Sequence, residues 1–460
     1  MSKNLTLTTE QRLLLCMVLP NAFAVPVMLS SVNAALPVIA VDISLTALEV
    51  SWIQTAFLMA SSMFVLVFGR LADMWGRKRI FLIGAGTVIV SSVAASMASN
   101  GVELVFARFL QGFGAAMLYA TQMALISSVF AKDSRGRAIS WVISVIYVGL
   151  SVGPLVGGIL TEFYGWRSVF YLQVPLAVLV LYVGVFRIQT EWSADNPGEF
   201  DSIGAMLYVL AIALLCLGVS AIDSLLGVAL IIMSGISGYF FFRVEATRDS
   251  PLWDLSLFIK NRNFTFCSVA SLTMYGATFM NVMLLSLHLQ YLKGMSLMAA
   301  AMIMMIQPTV MAFCTPLVGR KFDHREAGRY ARMGMLVTTA GLIFLAFQNM
   351  MSSLVQTATA LIITGLGFSL FSTPNVTLLM SSVENKDLGL ASSAISTTRI
   401  IGQLLSTAIV TLVFVMRFGR SDLSSDNIEL LSSAIQTAFF FAACLCLSGF
   451  IFIWTWDKKD

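Results

Sequence analysis

Charged residues are scarce in this sequence: they make up 11% of the 460 residues, while 58% are hydrophobic. About a quarter of the residues in an ordinary soluble domain are charged, so that class is excluded. The hydrophobic content also excludes an intrinsically disordered chain, which has few apolar residues. The net charge of +4 is too small to indicate nucleic-acid binding. Most of this chain therefore requires lipid as its solvent.

Metal ligands and paired thiols are also lacking. The chain has only two histidines, His288 and His324, which are far apart in the sequence. The six cysteines lie inside apolar runs and none is in a C-x-x-C pair: Cys16, Cys216, Cys267, Cys314, Cys444 and Cys446. We therefore expect no metal site, no redox site and no cofactor. The sequence also lacks a Ser–His pair or a His/Asp/Glu cluster, so we do not expect an enzyme.

Long apolar runs dominate the rest of the chain. There are fourteen, at residues 13–33, 50–70, 80–98, 103–128, 138–161, 168–187, 203–221, 225–243, 265–290, 298–318, 330–347, 353–378, 389–414 and 432–455. They lack the alternation of β-barrel strands, so they predict an all-α integral membrane protein with fourteen transmembrane helices. No small-residue cleavage site follows the first run closely, which predicts a retained span instead of a signal peptide.

The basic residues predict the orientation in the membrane. If the N-terminus is cytoplasmic, 22 of the 28 lysines and arginines fall in cytoplasmic segments, 4 outside and 2 within spans. Cytoplasmic loops of membrane proteins carry this excess. We therefore expect both termini on the cytoplasmic side. The membrane that we expect is a bacterial-type inner membrane.

An internal repeat predicts the domain organisation. GRLAD at 69–73 follows the second run, and GRKFD at 319–323 follows the tenth, an offset of 250 residues. Six helices with loops need about 200 residues, so the surplus indicates an inserted two-helix hairpin at 203–243. The predicted division is a tail at 1–12, a six-helix bundle at 13–190, linkers and hairpin at 191–263, a second six-helix bundle at 264–455, and a tail at 456–460.

The segment GRLADMWGRKR at 69–79 is the first candidate site. Its glycines permit a tight reversal, and its acid beside three basic residues suits a helix terminus or an arginine partner. The candidate residues are Gly69, Asp73, Gly76, Arg77 and Arg79. The alternative interpretation is a simple anchor that fixes topology.

Two polar helix faces each place an arginine side chain within the membrane. At 100° per residue, one face of the fourth run holds Arg108, Gln111, Gly112, Tyr119 and Gln122. The thirteenth run presents Arg399 and Gln403 on a similar stripe. A stripe with an arginine faces a cavity or an interface and not lipid, so both stripes are candidate cavity surfaces. The alternative for Arg108 is an arginine that snorkels to the outer surface.

Small residues mark the fifth run. In GLSVGPLVGG at 149–158 the glycines recur at every fourth position, and a proline removes one backbone donor. We predict a tightly packed hinge at Gly149, Gly153, Pro154, Gly157 and Gly158. The glycines alone are equally consistent with simple helix packing.

Other polar residues at mid-span depth complete the candidate cavity. They are Asn33, Gln54, Tyr147, Asn281, Gln307 and Asn375, each of which could instead be a hydrogen-bonding contact between helices. No aspartate or glutamate lies at mid-depth in the fourteen runs. A buried acid is the usual proton carrier and the usual partner of a cationic substrate.

With these motifs in order, the sequence resembles the major facilitator superfamily, in particular its fourteen-span drug/proton antiporter branch. The resemblance lies in the segments at 69–79, 107–116, 149–158 and 166–175. It implies two six-helix bundles that alternate about a central cavity, driven by a proton gradient. It also implies that Asp73, Arg77 and the region of Asp387 lock one state, that Arg108 serves proton coupling, and that Gly153 and Pro154 mark an exporter.

One segment departs from the branch. VMLSSVNAALP at 27–37 matches its first-span pattern, but Met28 stands where the branch has an aspartate. This places Met28 among the candidate cavity residues and weakens the case for a cationic substrate.

The leading hypothesis is a secondary transporter that exports an amphipathic organic molecule, of the multidrug type, in exchange for protons. The alternative substrate is an anionic or neutral metabolite such as a siderophore or an organic acid. A non-transporting receptor on the same fold is the remote alternative. The expected partners are a small molecule, protons and lipid; a periplasmic adaptor is left open.

Overall fold

A computed structural model describes most of the chain. The described residues are 7–45, 47–193, 198–222, 224–248, 252, 261–321, 326–383, 388–418 and 428–457. Parts of the predicted tails and linkers lie outside these ranges, with Pro197, Pro251, Asp323, His324 and Asp387.

The described chain is helical throughout its regular structure, as the apolar runs predict. Short π-helical turns at Val183–Arg187 and His288–Leu292 continue the helices that end at Tyr182 and Leu287. The helices are α1 Thr9–Asp42, α2 Ala47–Trp75, α3 Arg77–Met97, α4 Gly101–Val129, α5 Lys132–Tyr164, α6 Arg167–Tyr171, α7 Gln173–Tyr182, α8 Ser202–Ser220, α9 Leu225–Glu245, α10 Arg262–Thr278, α11 Asn281–Leu287, α12 Leu297–Met304, α13 Ile306–Lys321, α14 Ala327–Ala346, α15 Leu354–Ser381, α16 Leu388–Phe418 and α17 Ile428–Asp457.

Within the described ranges, thirteen helical segments are long and apolar enough to cross a membrane. The run at 330–347 is the exception to the fourteen that were predicted. It forms the 20-residue helix α14 at the expected place. Its first turns carry Arg329 and Arg332, which make it less apolar than the other thirteen.

Local capping explains where several helices begin. Thr8 and Gln11 form a capping box at α1, and Ser353 and Gln356 form another at α15. The side chain of Asn100 accepts a hydrogen bond from the backbone N–H of Glu103 at the start of α4. These side chains satisfy backbone donors that a helix leaves unpaired in its first turn.

Two halves form around separate sets of helix contacts. The N-terminal half (Thr9–Arg187) is built on the pairs α1–α5, α2–α4 and α3–α4, and the C-terminal half (Arg262–Asp457) on α14–α15, α10–α16 and α14–α17. The halves meet mainly through α2–α16 and α5–α13. The 250-residue repeat relates the second span to the tenth and the fifth to the thirteenth, so these two contacts are equivalent under it.

The predicted hairpin is the pair α8–α9, whose helices pack on each other. Helix α8 also contacts α2 and α16, one from each half. The buried Tyr208 of α8 donates a hydrogen bond to the carbonyl oxygen of Ser62 at 2.8 Å. At the base of the hairpin, Asp201 caps α8 through the N–H of Gly204 and pairs with Arg248 at 3.7 Å.

Several glycines within each half pack more tightly than the three described glycines that face the other half. A Cβ atom added at Gly157 would lie 2.6 Å from the Cα of Ser31, and one at Gly402 would lie 2.6 Å from the carbonyl oxygen of Leu272. Three described glycines face the other half, and there the nearest atoms are side-chain carbons: Thr377 at 3.7 Å from Gly136, Met298 at 3.6 Å from Gly158, and Ser140 at 3.3 Å from Gly319. At these glycines the helices therefore fit more closely within each half than across the surface between the halves.

Candidate functional site

The segment at 69–79 contains a buried ion pair. Arg77 donates from Nε and Nη2 to Oδ1 of Asp73, at 2.9 and 2.8 Å, and from Nη1 to the hydroxyl of Ser128 at 2.6 Å. The side chains of Asp73 and Arg77 are only 9% and 6% exposed. Such charge-assisted bonds hold the end of α2 against the start of α3 and the end of α4.

The turn itself is shorter than the sequence predicts. Helix α2 runs through Gly69 and Asp73 to Trp75, so Gly69 is helical and makes no reversal. The whole turn falls on Gly76, with φ of 111°. That value lies in a region that favours glycine. The carboxylate of Glu191 packs against Gly76, accepts from the N–H of Lys78 at 2.8 Å, and lies 3.9 Å from the exposed Arg79.

Arg108 lies in the interior of the N-terminal half and does not snorkel. Its side chain is 0% exposed, and its guanidinium stacks on Phe57 at 4.6 Å. It donates to the carbonyl oxygen of Ile53 at 3.2 Å, to Oε1 of Gln111 at 2.6 Å and to Oε1 of Gln54 at 3.4 Å. Every one of these partners is neutral.

The neutral network extends beyond Arg108 in both directions. Gln111 donates to the hydroxyl of Ser92 at 2.9 Å and to Oε1 of Gln173 at 3.0 Å. On the other side, Gln54 donates to Oδ1 of Asn33. The network therefore joins α1, α2, α3, α4 and α7 through polar side chains alone, as neighbouring helices do in lipid.

Met28 lies directly against the cation. Its sulfur is 2.9 Å from Nη1 of Arg108, and the residue is 1% exposed. A thioether is a weak acceptor and carries no charge. The structure thus places Met28 in contact with Arg108 at the position where the resembling branch has an acid.

Arg399 occupies the surface between the halves. Its guanidinium stacks on the ring of Tyr119 at 4.7 Å, and Ser396 donates to the carbonyl oxygen of Tyr119 at 3.0 Å. Arg399 also interacts with Tyr275, which interacts in turn with Tyr147. Four ion pairs occur among the described residues, and none includes Arg108 or Arg399.

The glycines of the fifth run separate into two groups. A Cβ at Gly149 would lie 2.8 Å from the carbonyl oxygen of Phe23, and one at Gly153 would lie 2.9 Å from that of Val27. Together with Gly157, these glycines fit α5 against α1, and Ser31 donates to the carbonyl oxygen of Gly153 at 2.6 Å. Helix α5 continues through Pro154. Gly158, predicted as part of the same set, faces Met298 of the other half instead.

The segment at 166–175 fastens the far end of the N-terminal half. Trp166 and Arg167 both donate to Oδ2 of Asp42, at 2.8 and 2.9 Å. These hydrogen bonds lower the pKa of the Asp42 carboxyl. Farther along the segment, Gln173 joins the Arg108 network, which ties this segment to the candidate site.

Five other predicted residues lie elsewhere. Gln122 accepts a hydrogen bond from Asn21 at 3.2 Å, away from the Arg108 network. Asn375 donates to Cys267 and Ser271 at 3.1 and 2.8 Å and so joins α15 to α10. The remaining three are the buried Asn281 on α11 and the half-buried Gln307 and Gln403 on α13 and α16.

Several contacts of the site have no signal in the sequence. Phe57 and Tyr275 are aromatic residues in apolar runs and look like packing residues there. Ser92 and Ser128 are small and common in membrane helices. Glu191 lies in the predicted linker, where its charge suggests only exposure to water.

The described chain is all-helical, is apolar enough to span a membrane and forms two packed halves, with the buried Arg108 beside the surface between them and the half-buried Arg399 at that surface. This arrangement defines a secondary transporter fold. The sequence profile of the Major Facilitator Superfamily matches residues 18–407. The chain therefore belongs to this family, and it is a multi-pass membrane transporter of a small molecule and not an enzyme.

Known relatives match most of this chain at low identity. The riboflavin transporter RibZ of Clostridioides difficile is 27% identical over 92% of each chain. The multidrug efflux pump LfrA of Mycolicibacterium smegmatis is 29% identical over 85% of this chain and 79% of its own. The crystal structure of the human organic anion transporter MFSD10 (TETRAN) superposes with a TM-score of 0.68 at 14% identity, covering 97% of this chain and 100% of that chain, which supports the fold alone.

Proposed function

We propose that this protein belongs to the drug/proton antiporter branch and exports an amphipathic organic small molecule in exchange for protons, by alternating access. The observation that carries the proposal is the contrast in packing. Several glycines within each half leave no room for a Cβ atom, whereas a Cβ added at the three described glycines between the halves would lie 3.3 to 3.7 Å from its nearest neighbour. Two tight bodies with a loose surface between them can move against each other without repacking their interiors.

The charges of the site favour an anionic or neutral substrate within this proposal. Arg108 and Arg399 carry positive charge at depth, and their described partners are neutral. A siderophore or an organic acid therefore fits the site as well as a drug does. The multidrug efflux pump LfrA supports export, and the riboflavin transporter RibZ supports a neutral aromatic cargo.

The remaining assignments belong to the same proposal. Asp73 and Arg77 serve as the conformational lock, the Arg108 network as the coupling region, and Gly149, Gly153 and Pro154 as the packed hinge. We also propose the division into bundles at 13–190 and 264–455 with a hairpin between, both termini in the cytoplasm, and a bacterial inner membrane.

Transport in reconstituted vesicles tests the function. The purified protein is placed in liposomes with an acidic lumen, and uptake of ethidium, riboflavin and fluorescein is measured as cationic, neutral and anionic probes. We expect gradient-driven uptake of fluorescein or riboflavin that stops when the proton gradient is collapsed. Proton-coupled export would be contradicted if every probe entered at the rate seen with empty liposomes. It would also be contradicted if uptake continued unchanged after the proton gradient is collapsed.

Substitution of Met28 tests the charge argument. In Met28→Asp a carboxylate replaces the thioether beside Arg108, so the site gains the negative charge that a cation needs. We expect gradient-driven ethidium uptake to rise at least about tenfold over wild type, which corresponds to about 1.4 kcal/mol. Met28→Leu is the matched control and should leave ethidium uptake unchanged. If wild type already transports ethidium as fast as Met28→Asp, the preference against cations is wrong.

A further inference from the structure

Four aromatic side chains cluster with Arg399 where the halves meet. We call the set of Tyr119, Tyr147, Tyr275, Phe368 and Arg399 the Arg399 cage. The guanidinium lies 4.7 Å from the ring centre of Tyr119. The rings of Tyr147 and Tyr275 meet Phe368 edge-on, at 5.9 and 5.3 Å between centres. Tyr275 interacts with both Tyr147 and Arg399, which closes the cluster.

The cage brings together both halves of the protein. Tyr119 and Tyr147 come from α4 and α5 of the N-terminal half, and the other three members come from α10, α15 and α16 of the C-terminal half. The cage is complete only when the halves are in contact. Motion of one half against the other therefore separates the cation from the face of Tyr119.

The described residues supply no ion-pair partner of negative charge to the Arg399 cage. Of the four described ion pairs, none reaches Arg399, and its described contacts are tyrosines. Stacking on an aromatic ring stabilises a cation by about 0.5–2 kcal/mol, which is less than the free-energy cost of placing an arginine inside a membrane. An anion that arrives with the substrate would supply the missing charge.

The aromatic rings of the Arg399 cage favour an anion that is flat. Aromatic rings prefer offset or edge-on contact with other rings and gain about 0.5–1.5 kcal/mol beyond simple burial. The two hydroxyls of Tyr147 and Tyr275 add polar groups beside the cation. A flat aromatic body with one acidic group matches both parts of the cluster.

We propose that the Arg399 cage is the substrate site and that it binds a planar aromatic acid, with the acidic group on Arg399 and the ring against the aromatic walls. This inference rests on the proposed transport function and assigns its substrate class. Tyr275 and Phe368 are the two members that sequence reasoning did not single out. A cation is repelled by Arg399, and a saturated ring loses the edge-on contacts.

Binding to the purified full-length protein tests the proposal with four probes of one size. They are naphthalene-2-carboxylate, naphthalene-2-carboxamide, naphthalen-2-ylmethylammonium and decahydronaphthalene-2-carboxylate. We expect the first to bind wild type at least about tenfold more tightly than each of the others. Arg399→Gln should weaken its binding at least about tenfold and leave the binding of the amide unchanged, whereas Tyr275→Leu should weaken the binding of both the acid and the amide.

The controls separate a charge effect from misfolding. Arg417→Gln alters an exposed arginine on the same helix, which bonds Thr437 at 3.2 Å, and should leave every affinity unchanged. Arg399→Lys keeps the charge and should retain the preference for the acid over the amide. The proposal would be overturned if the wild-type protein bound the acid and the amide with equal affinity. It would also be overturned if a folded Arg399→Gln variant bound the acid as tightly as wild type does.

The same preparation distinguishes this inference from the proposed function. Binding of the naphthalene acid that ranks as expected, together with no gradient-driven uptake in vesicles, would contradict export and leave the cage in place. Gradient-driven uptake with no preference among the four probes would contradict the cage and leave export in place.

Discussion

Replacing Gly112 by alanine is expected to destabilise the N-terminal half severely. A Cβ at this position would lie 2.9 Å from the carbonyl carbon of Phe57 and closer still to its oxygen. Both are backbone atoms of α2, so no side chain can rotate away and the helices must separate. Overpacking typically costs about 1–3 kcal/mol, and a backbone clash belongs at or above the upper end of that range. The effect is measured as the unfolding temperature in detergent, which is monitored through the loss of monodisperse protein on heating.

Gly136→Ala is the matched control for Gly112→Ala. The atom nearest to its Cβ is a methyl carbon of Thr377, at 3.7 Å across the surface between the halves. We expect its unfolding temperature to equal that of wild type, since this is ordinary van der Waals contact. Equal losses of stability in the two variants would contradict the contrast between tight halves and a loose surface.

Replacing Arg108 by lysine is expected to impair transport almost as much as replacing it by glutamine. The guanidinium donates in three directions, to Ile53, Gln54 and Gln111, and a lysine ammonium presents one compact charge instead of that planar fork. A hydrogen bond to a charged group contributes about 1.5–3 kcal/mol. We therefore expect gradient-driven uptake to fall at least about tenfold in both variants.

The measurement uses whichever of the three vesicle probes the wild-type protein transports best. Arg12→Gln, at an exposed position near the start of α1, is the control and should transport at the wild-type rate. Full activity in Arg108→Lys would mean that the charge alone matters and that the network geometry does not.

Much of the fold was predictable because lipid imposes strong rules. Apolar runs of about twenty residues must be helices, and the repeat of GRLAD and GRKFD predicted two related halves. The repeat even relates the two main contacts between the halves, α2–α16 and α5–α13. The run at 330–347 shows the limit of composition alone: Arg329 and Arg332 make it less apolar, yet it folds as a 20-residue helix.

The site was predictable where its chemistry is unusual in a membrane. Arg108, Gln111 and Arg399 are conspicuous among apolar neighbours, and the helical period placed Arg108 and Gln111 on one face. Tyr275 and Phe368 were not predictable, because an aromatic residue in a span has the same composition signal whether it faces lipid or a neighbouring half. Gly69 was misplaced because a glycine beside a basic segment resembles a turn, whereas α2 continues through it to Trp75.

The inserted hairpin makes the two lines of contact between the halves unequal. Helix α8 contacts both α2 and α16, and Tyr208 is anchored to Ser62 on one side and lies beside Thr397 on the other. Among the described residues, the hairpin packs along this line and not along α5–α13. The hairpin therefore breaks the pseudo-twofold symmetry of the repeat, because it packs against one of the two equivalent contacts and not the other. The hairpin covers the α2–α16 line from outside, whereas among the described residues no inserted helix packs in the same way along α5–α13.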